Sequence, residues 1–404
     1  MRRRGRAALA AACIAVVTVS APPGVASATQ VQPQALTVVA TGDVLLHQKS
    51  PLVRGAAQVG RAHGTQFDFS GVFANIAPVI HAADLAICHL ETPLAEPGGP
   101  FRGYPSFSVQ PQIVDALAGA GYDTCSTASN HALDAGFDGL VRTVNTLDAR
   151  RMGHTGTFRS EAESLTPHIL DVDGVRVAQL SWTFGLNGIP EPHGREWAVN
   201  DFDATGPQVA GILADAARAR RAGADIVIIS LHCCTEYKHA PDRTQVAVVA
   251  ALLASPDVDL VLGHHAHVVQ PVERVNGKWV AYGLGNHVAQ QRGDATNDSV
   301  IIRFTFTRGA DARFVVTLAE AIPKRIQRSA DGVTVVPTEP DSSSFNRVAK
   351  VLGRRTPPPT TGSSPASGSG PAAQASLVGV HRPAARRASP ARTPRRCPTP
   401  PRTA

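Results

Sequence analysis

Short continuous apolar runs alternate along the chain with segments whose apolar positions recur at helical spacing, which predicts a strand–helix order. "ALTVVATGD" reads as a buried strand ending at Gly42-Asp43, Gly71 to His81 as a helix, and "ADLAICHLE" as a second short strand. "PQIVDALAGAGYD" has helical periodicity with proline in its first turn, and leads into the strand "DTCSTASN". A helix from about Asp134 to Arg151 precedes the short strand "GHTG". "HILDVDGVRVAQLSW" is a hairpin turning at Asp173-Gly174, and a second hairpin turns at Asn276-Gly277. Between them the helix "PQVAGILADAARARRAG" feeds the strand "ADIVIISLH", and a helix beginning at Asp242 feeds "VDLVLGHHAH". "SVIIRFTF" and "RFVVTLAEAI" close the pattern as strands. Strand–helix alternation early and hairpins late predict an α/β sandwich of mixed sheets, one domain over residues 29–350.

Composition changes this picture at both ends. The 404 residues carry a formal net charge of +7, with 18% charged and 43% hydrophobic side chains, which excludes wholesale disorder. Four arginines (Arg2, Arg3, Arg4, Arg6) precede residue 29, and nine more lie between Arg354 and Arg402. Removing these thirteen charges leaves −6 on 29–350, so the folded stretch is mildly acidic and no nucleic-acid partner is expected. "MRRRGR", the apolar run Ala7–Val19 and Ala26-Ser27-Ala28 have the order of a signal peptide over 1–28, with the mature chain starting near Thr29. That run is short for a bilayer span, and no later segment has the length and apolarity of a membrane helix. The expected location is therefore secreted or at the cell surface.

Residues 351–404 hold eleven of the 31 prolines among Ala, Ser and Arg, the composition of a disordered tail. Contact of its arginines with anionic polymers, and a solvated tail without partner, are both open. Export leaves Cys88, Cys125, Cys233, Cys234 and Cys397, an odd number. A bridge between Cys88 and Cys125 is geometrically conceivable, since both end predicted strands. For Cys233-Cys234 a vicinal disulfide and two buried thiols stay open.

Candidate chemistry gathers where strands end. Asp43 follows the first strand and Glu91 the second; Asn130 and His131 follow the third; His232 ends a fourth, and His264, His265 and His267 follow a fifth. In open α/β sheets ligands collect at the carboxyl ends of strands, so these residues should share one rim. Carboxylates, imidazoles and one amide oxygen suit manganese, iron(II) or zinc, and are too poor in carboxylate for a calcium cage. Two divalent ions sharing a carboxylate would activate water and stabilise charge on a phosphoryl oxygen. His131 is placed to act as a general acid. Asp134 either orients it or caps the next helix. Glu236 and Tyr237 lie on a loop beyond His232, suited to substrate contact or helix capping, and Asn286 with His287 follows another strand. Arg102, in "PFRGYP", either receives an anionic substrate or is an ordinary surface arginine.

The segments "VVATGDVLLH", "ADLAICHLETPL", "PSFSVQPQIVDALAGAGYDTCSTASNHALDAG", "ISLHCCTEYKHAPDRTQ" and "DLVLGHHAHVVQPVERVNGKWVAYGLGN" resemble the CapA family of capsule-biosynthesis proteins. That family is associated with poly-γ-glutamate and is similar to calcineurin-like metallophosphoesterases. The resemblance implies a four-layer α/β/β/α sandwich of mixed sheets and a dimetal site of Asp43, Glu91, Asn130, His232, His265 and His267, with His131 beside it. Four places depart from the pattern, one being Cys233-Cys234 where many relatives have Trp-Gly, with packing and a thiolate ligand that would favour zinc both open. Leu45 stands where an Asp-x-His motif has histidine, with His47 two residues further on; Glu91 replaces the bridging aspartate; His89 replaces an asparagine, as a substitute ligand or a buried polar group. Two function classes follow. One is a metal-dependent hydrolase of phosphoester or related anionic linkages. The other is a non-catalytic surface accessory that binds or tethers an anionic polymer. Membrane proteins of capsule synthesis are expected partners of either.

Overall fold

The computed structural model describes residues 34–204 and 208–353, together with the strand Leu377–Val380. The expected signal peptide and most of the expected tail lie outside the described residues.

In chain order the first half runs β1 (Ala35–Val44), α1 (Pro51–Ala62), α2 (Ala77–His81), β2 (Leu85–Leu90), α3 (Gln112–Ala120), β3 (Thr124–Ser126), α4 (Gly136–Ala149), β4 (Gly153–Thr155), α5 (Glu161–Ser164), β5 (Ile169–Val172) and β6 (Val175–Thr183). Then come α6 (Ala210–Arg221), β7 (Ile226–His232), α7 (Arg243–Ala254), β8 (Leu260–His264), β9 (Val272–Val275) and β10 (Lys278–Ala281). The last elements are β11 (Asn286–Val288), α8 (Asp294–Asn297), β12 (Asp298–Arg308), β13 (Phe314–Ser329), β14 (Gly332–Pro337), α9 (Ser343–Leu352) and β15 (Leu377–Val380).

Two mixed sheets result. In the first, β1-β2-β3-β4 run parallel, and antiparallel β12, β13 and β14 extend the sheet beyond β1. β12 leaves β1 at Ala40, and β11 then takes its place, pairing Asn286 with Asp43. β15 lies parallel to β13. The second sheet has the order β5-β6-β7-β8-β10-β9, parallel in the middle with an antiparallel hairpin at each edge.

The period-two alternation of the strands makes the layers. Val38 and Ala40 of β1 pack with Ile226 and Ile228 of β7, Leu260 and Leu262 of β8 and Val177 of β6 in the core between the sheets. The alternate residue Val39 faces the other way, towards Leu52 of α1 and Ile113 and Leu117 of α3. Val227 and Ile229 likewise face Ile212 of α6 and Val248 and Leu252 of α7. Helices therefore cover both outer faces, giving four layers, α/β/β/α. Strands buried on both faces read as continuous apolar runs, the pattern seen in the sequence.

Both expected hairpins form, with Asp173, Gly174, Asn276 and Gly277 all at positive φ as two-residue turns of that kind require. The expected helix from Gly71 to His81 is broken into a 3₁₀ turn at Ser70–Val72 and the short α2. Pro78 has no N–H to continue a helix from the preceding turn. The expected tail begins inside α9, which runs to Leu352 with Ser342 as its cap.

Candidate metal centre

The residues singled out at strand ends meet on one rim. Asp43 lies near the end of β1 and Glu91 just past β2; His232 and His264 end β7 and β8, with His265 and His267 immediately after. Asp43 can point there because Gly42 lets the backbones touch. Asp43 N donates to the Gly285 carbonyl at 3.0 Å, and a Cβ on Gly42 would collide with that same carbonyl. His265 and His267 turn inward through left-handed backbone, φ 81° and 56°, a strained conformation for a residue with a side chain.

Donor atoms of Asp43, Glu91 and His267 lie within 4.8 Å of one another, as do those of Glu236, His265 and His267, and those of Asp43, His89 and His264. His267 joins the first two groups. Its Nδ1 is 3.0 Å from both Asp43 Oδ2 and Asn286 Oδ1, while its Nε2 is 3.7 Å from carboxylate oxygens of both Glu91 and Glu236. Two acceptors on Nδ1 keep a proton there, so Nε2, between Glu91 and Glu236, is the nitrogen that would offer its lone pair to a cation once its own proton is displaced. Asn286 is held in turn, its amide donating to Thr296 O and Gln291 Oε1.

A second chain of contacts sets His232. Ser126 Oγ lies 2.8 Å from His89 Nδ1, His89 Nε2 lies 2.9 Å from His232 Nδ1, and His232 Nε2 is 2.9 Å from Asn130 Oδ1. Both His89 nitrogens are engaged, and its ring stacks on His264 at 4.1 Å. His89 thus orients His232. His264 Nδ1 is 3.3 Å from Asp43 Oδ1. His47 stays outside all three donor groups and meets Phe107 edge-on at 5.2 Å.

Buried polar atoms without partners bear on what the cluster could hold. Both carboxylate oxygens of Glu91, Nε2 of His264 and Nδ1 of His265 are buried and make no hydrogen bond among the described residues, and Asp43 Oδ1 meets only His264 Nδ1, at 3.3 Å. Native interiors seldom leave such groups unsatisfied, so this set fits divalent cations. Burial raises the Glu91 pKa. Burial pulls His267 down, but the Glu91 charge and the Asp43 hydrogen bond outweigh it and leave His267 raised. Burial and the His267 charge hold His265 down to about 3.

His131 stands beside this cluster. Its Nδ1 donates to Asp134 Oδ2 at 2.7 Å, and the same oxygen accepts the Phe107 N–H at 2.7 Å. Asp134 therefore orients His131 and does not cap α4, whose first residues have no side-chain cap. Burial lowers the His131 pKa, but the Asp134 hydrogen bond and the Glu91 charge more than reverse this. Arg102 donates to the Asp134 carbonyl at 3.2 Å and keeps the rest of its side chain at the surface. Tyr237, half exposed, lies over His267 with ring centroids 5.8 Å apart. Glu236 faces His267, while Asp242 caps α7 through the Gln245 N–H.

Sequence reasoning missed two members of this neighbourhood. Asn187 bridges Asn130, at 3.1 Å, and His131, at 3.3 Å. Lys324 is fully buried on β13, and its amine donates to Asn286 O, His287 O and Ser299 Oγ. Cys88 bonds Cys125 across β2 and β3, and Cys233 bonds Cys234 directly after His232.

Two packed mixed sheets with a carboxylate–imidazole cluster on their shared rim define the chain as an α/β/β/α sandwich built around a candidate metal centre. It belongs to the bacterial capsule synthesis protein PGA_cap family, whose model matches residues 37–291. It is 24% identical over 266 residues to the PGA biosynthesis protein CapA of Bacillus subtilis, covering 64% of this chain and 68% of that one. With the capsule biosynthesis protein CapA of Bacillus anthracis it shares 24% over 328 residues, 80% and 75% of the two chains. A probable polyglutamine synthesis accessory protein of Mycobacterium tuberculosis is 27% identical over 263 residues, 61% and 67%. Among solved structures it is similar to the calcineurin-like phosphoesterase YfkN of Bacillus subtilis, with TM-score 0.43 and 16% identity over 79% of this chain and 96% of that one.

Proposed function

We propose that the protein is an exported, metal-dependent hydrolase acting on a phosphoester or related anionic linkage in the synthesis or export of a poly-γ-glutamate-type capsular polymer. The observation that carries this reading is the set of buried, unpartnered carboxylate and imidazole atoms beside a carboxylate-held histidine. Asp43, Glu91 and His267 at one end, and Asn130, His232 and His265 at the other, would hold two divalent cations, with manganese, iron(II) or zinc suiting the donors. Such cations supply Lewis acidity and neutralise charge on the oxygens of the scissile group.

The chain's own groups do the rest. Asp134 fixes the proton on His131 Nδ1, so Nε2 is the nitrogen that can pass a proton to a leaving oxygen. Ser126 and His89 fix the ring plane of His232, and Asn286 that of His267. The relatives' names supply the capsule and polyglutamine setting. Two cystine bridges and the signal-like N-terminus support export.

The test is metal analysis of the purified protein with turnover of a generic aryl phosphodiester, with and without added manganese. Metal-dependent turnover is expected. Stoichiometric metal with no turnover on any ester would favour the polymer-binding accessory instead, a reading that buried, donor-less Leu45 also supports. N-terminal sequencing of exported protein should begin near Thr29; a first residue of Met1 counts against export by signal cleavage.

A further inference from the structure

The two ends of the cluster are unequally furnished. Asn130 and His232 meet at one end, the ring held by His89 and the amide by Asn187, with the His265 ring beside His232. At the other end β1 contributes Asp43 alone, because Leu45 is 2% exposed and packs in the apolar cluster beneath α1. One oxygen of Asp43 is occupied by His267 Nδ1. That leaves Asp43 Oδ1, Nε2 of His267 and the Glu91 carboxylate as the open donors there, three residues for the four to six ligands that a divalent cation takes.

Glu236 supplies what is missing. Its Oε1 is 3.7 Å from His267 Nε2, the same distance as Glu91 Oε1, and it groups with His265 and His267 within 4.8 Å. The loop that carries it is fastened to the histidine loop. Tyr237 N donates to the Ala266 carbonyl at 2.8 Å, and Tyr237 takes left-handed backbone, φ 60°. Glu91 Oε1, buried and without a hydrogen-bond partner among the described residues, lies beside the same His267 nitrogen as Glu236.

We propose that Glu236 is a metal ligand, completing the donor set at the Asp43–Glu91–His267 end of the site. This rests on the metal-dependent reading above and goes beyond the six ligands expected there. It also makes the two ends chemically different. The Glu236 end is rich in carboxylate oxygen and suits a harder cation such as Mn(II), while the His232 end is rich in imidazole and suits Zn(II).

The experiment is a titration of chelator-stripped protein with Mn(II), reading free Mn(II) by electron paramagnetic resonance, in wild type, Glu236→Gln and Tyr237→Phe. Glu236 is partly exposed on a loop, so Glu236→Gln should keep its circular dichroism and melting temperature without metal. One binding event should weaken at least about 10-fold in Glu236→Gln and stay unchanged in Tyr237→Phe. If wild type binds a single ion and Glu236→Gln loses it, the ligand assignment stands although the two-ion reading falls. Unchanged Mn(II) affinity in Glu236→Gln, with a change only in the KM for an ester, would make Glu236 a substrate contact and overturn the proposal. Wild-type protein that binds no Mn(II), Zn(II) or Fe(II) would overturn both.

Discussion

Replacing Glu91 by glutamine should change the sign of its effect on stability according to whether metal is present. The carboxylate is 1% exposed, and neither oxygen finds a hydrogen-bond donor. Burial, the largest influence, lifts its pKa from the ordinary 4.5 to about 7. A carboxyl whose folded pKa is raised binds protons more readily in the folded state, so it destabilises the fold progressively as pH rises from 4.5 through 7. Above pH 7 a rise of this size amounts to about 3 kcal/mol. Part is returned on substitution, since His267 loses one of the charges that keep it protonated, and a net gain of about 2 kcal/mol is expected for metal-free Glu91→Gln. For a domain of roughly 300 residues this is about 3 °C in melting temperature. Below pH 4.5 the gain should vanish, because glutamic acid and glutamine are then both neutral. Saturating Mn(II) should raise wild type by about 3 kcal/mol at 100 times its Kd and raise the variant far less, leaving wild type the more stable. Thermal melts at pH 5 and pH 8, with chelator and with Mn(II), read all four corners. A variant less stable than wild type in chelator at pH 8, or two proteins raised equally by Mn(II), would refute the reasoning. A variant that still binds two equivalents at wild-type affinity would remove Glu91 from between the ions.

His131→Ala should keep the wild-type metal content while slowing ester hydrolysis by about 10²–10⁴-fold; loss of metal would recast His131 as a ligand. Asp134→Asn removes a charge that raises the His131 pKa, so the alkaline limb of the pH–rate profile should move to lower pH, and an unmoved limb tells against the pair. Cys88→Ala with Cys125→Ala opens a loop of 37 residues and should lower urea stability by up to about 4 kcal/mol, whereas unchanged stability would argue that the bridge is not formed in solution. Burial holds His168 down to about 4, so the unfolded chain takes its proton first and stability should fall as pH drops from 6.5 towards 4. His168→Gln should flatten that fall by about 2 kcal/mol, allowing for the ring's partial exposure; identical pH profiles would discount the burial.

Much of the architecture was legible because both faces of the central strands are buried. Runs such as "DIVIISLH" have no polar interruption, and the Asp-Gly and Asn-Gly turns fix their hairpins locally. The gathering of Asp43, Glu91, Asn130 and His232 on one rim followed from their positions at strand ends. Elements recruited by distant partners were not legible. β11 has three residues, and it is a strand because Asn286 pairs with Asp43, far away in sequence. The role of His89 depends on Ser126 and on His232, 37 and 143 residues away, so spacing alone left ligand and buried polar group undecided. α1 carries a local signal of its own, Ser50 as cap and Pro51 in the first turn.

The left-handed backbone at His265 and His267 divides the centre into positions that can change and positions that can hardly do so. At φ 81° and 56° the chain tolerates glycine readily, asparagine and aspartate at some cost, and other side chains poorly. Glutamate or cysteine placed there would meet the backbone penalty before it could offer a new donor. Glu91, His89 and His232 sit on or beside extended strands, where any residue fits the main chain. Donor exchange at this candidate centre is therefore permitted by the main chain along β2 and β7 and resisted by it in the histidine loop.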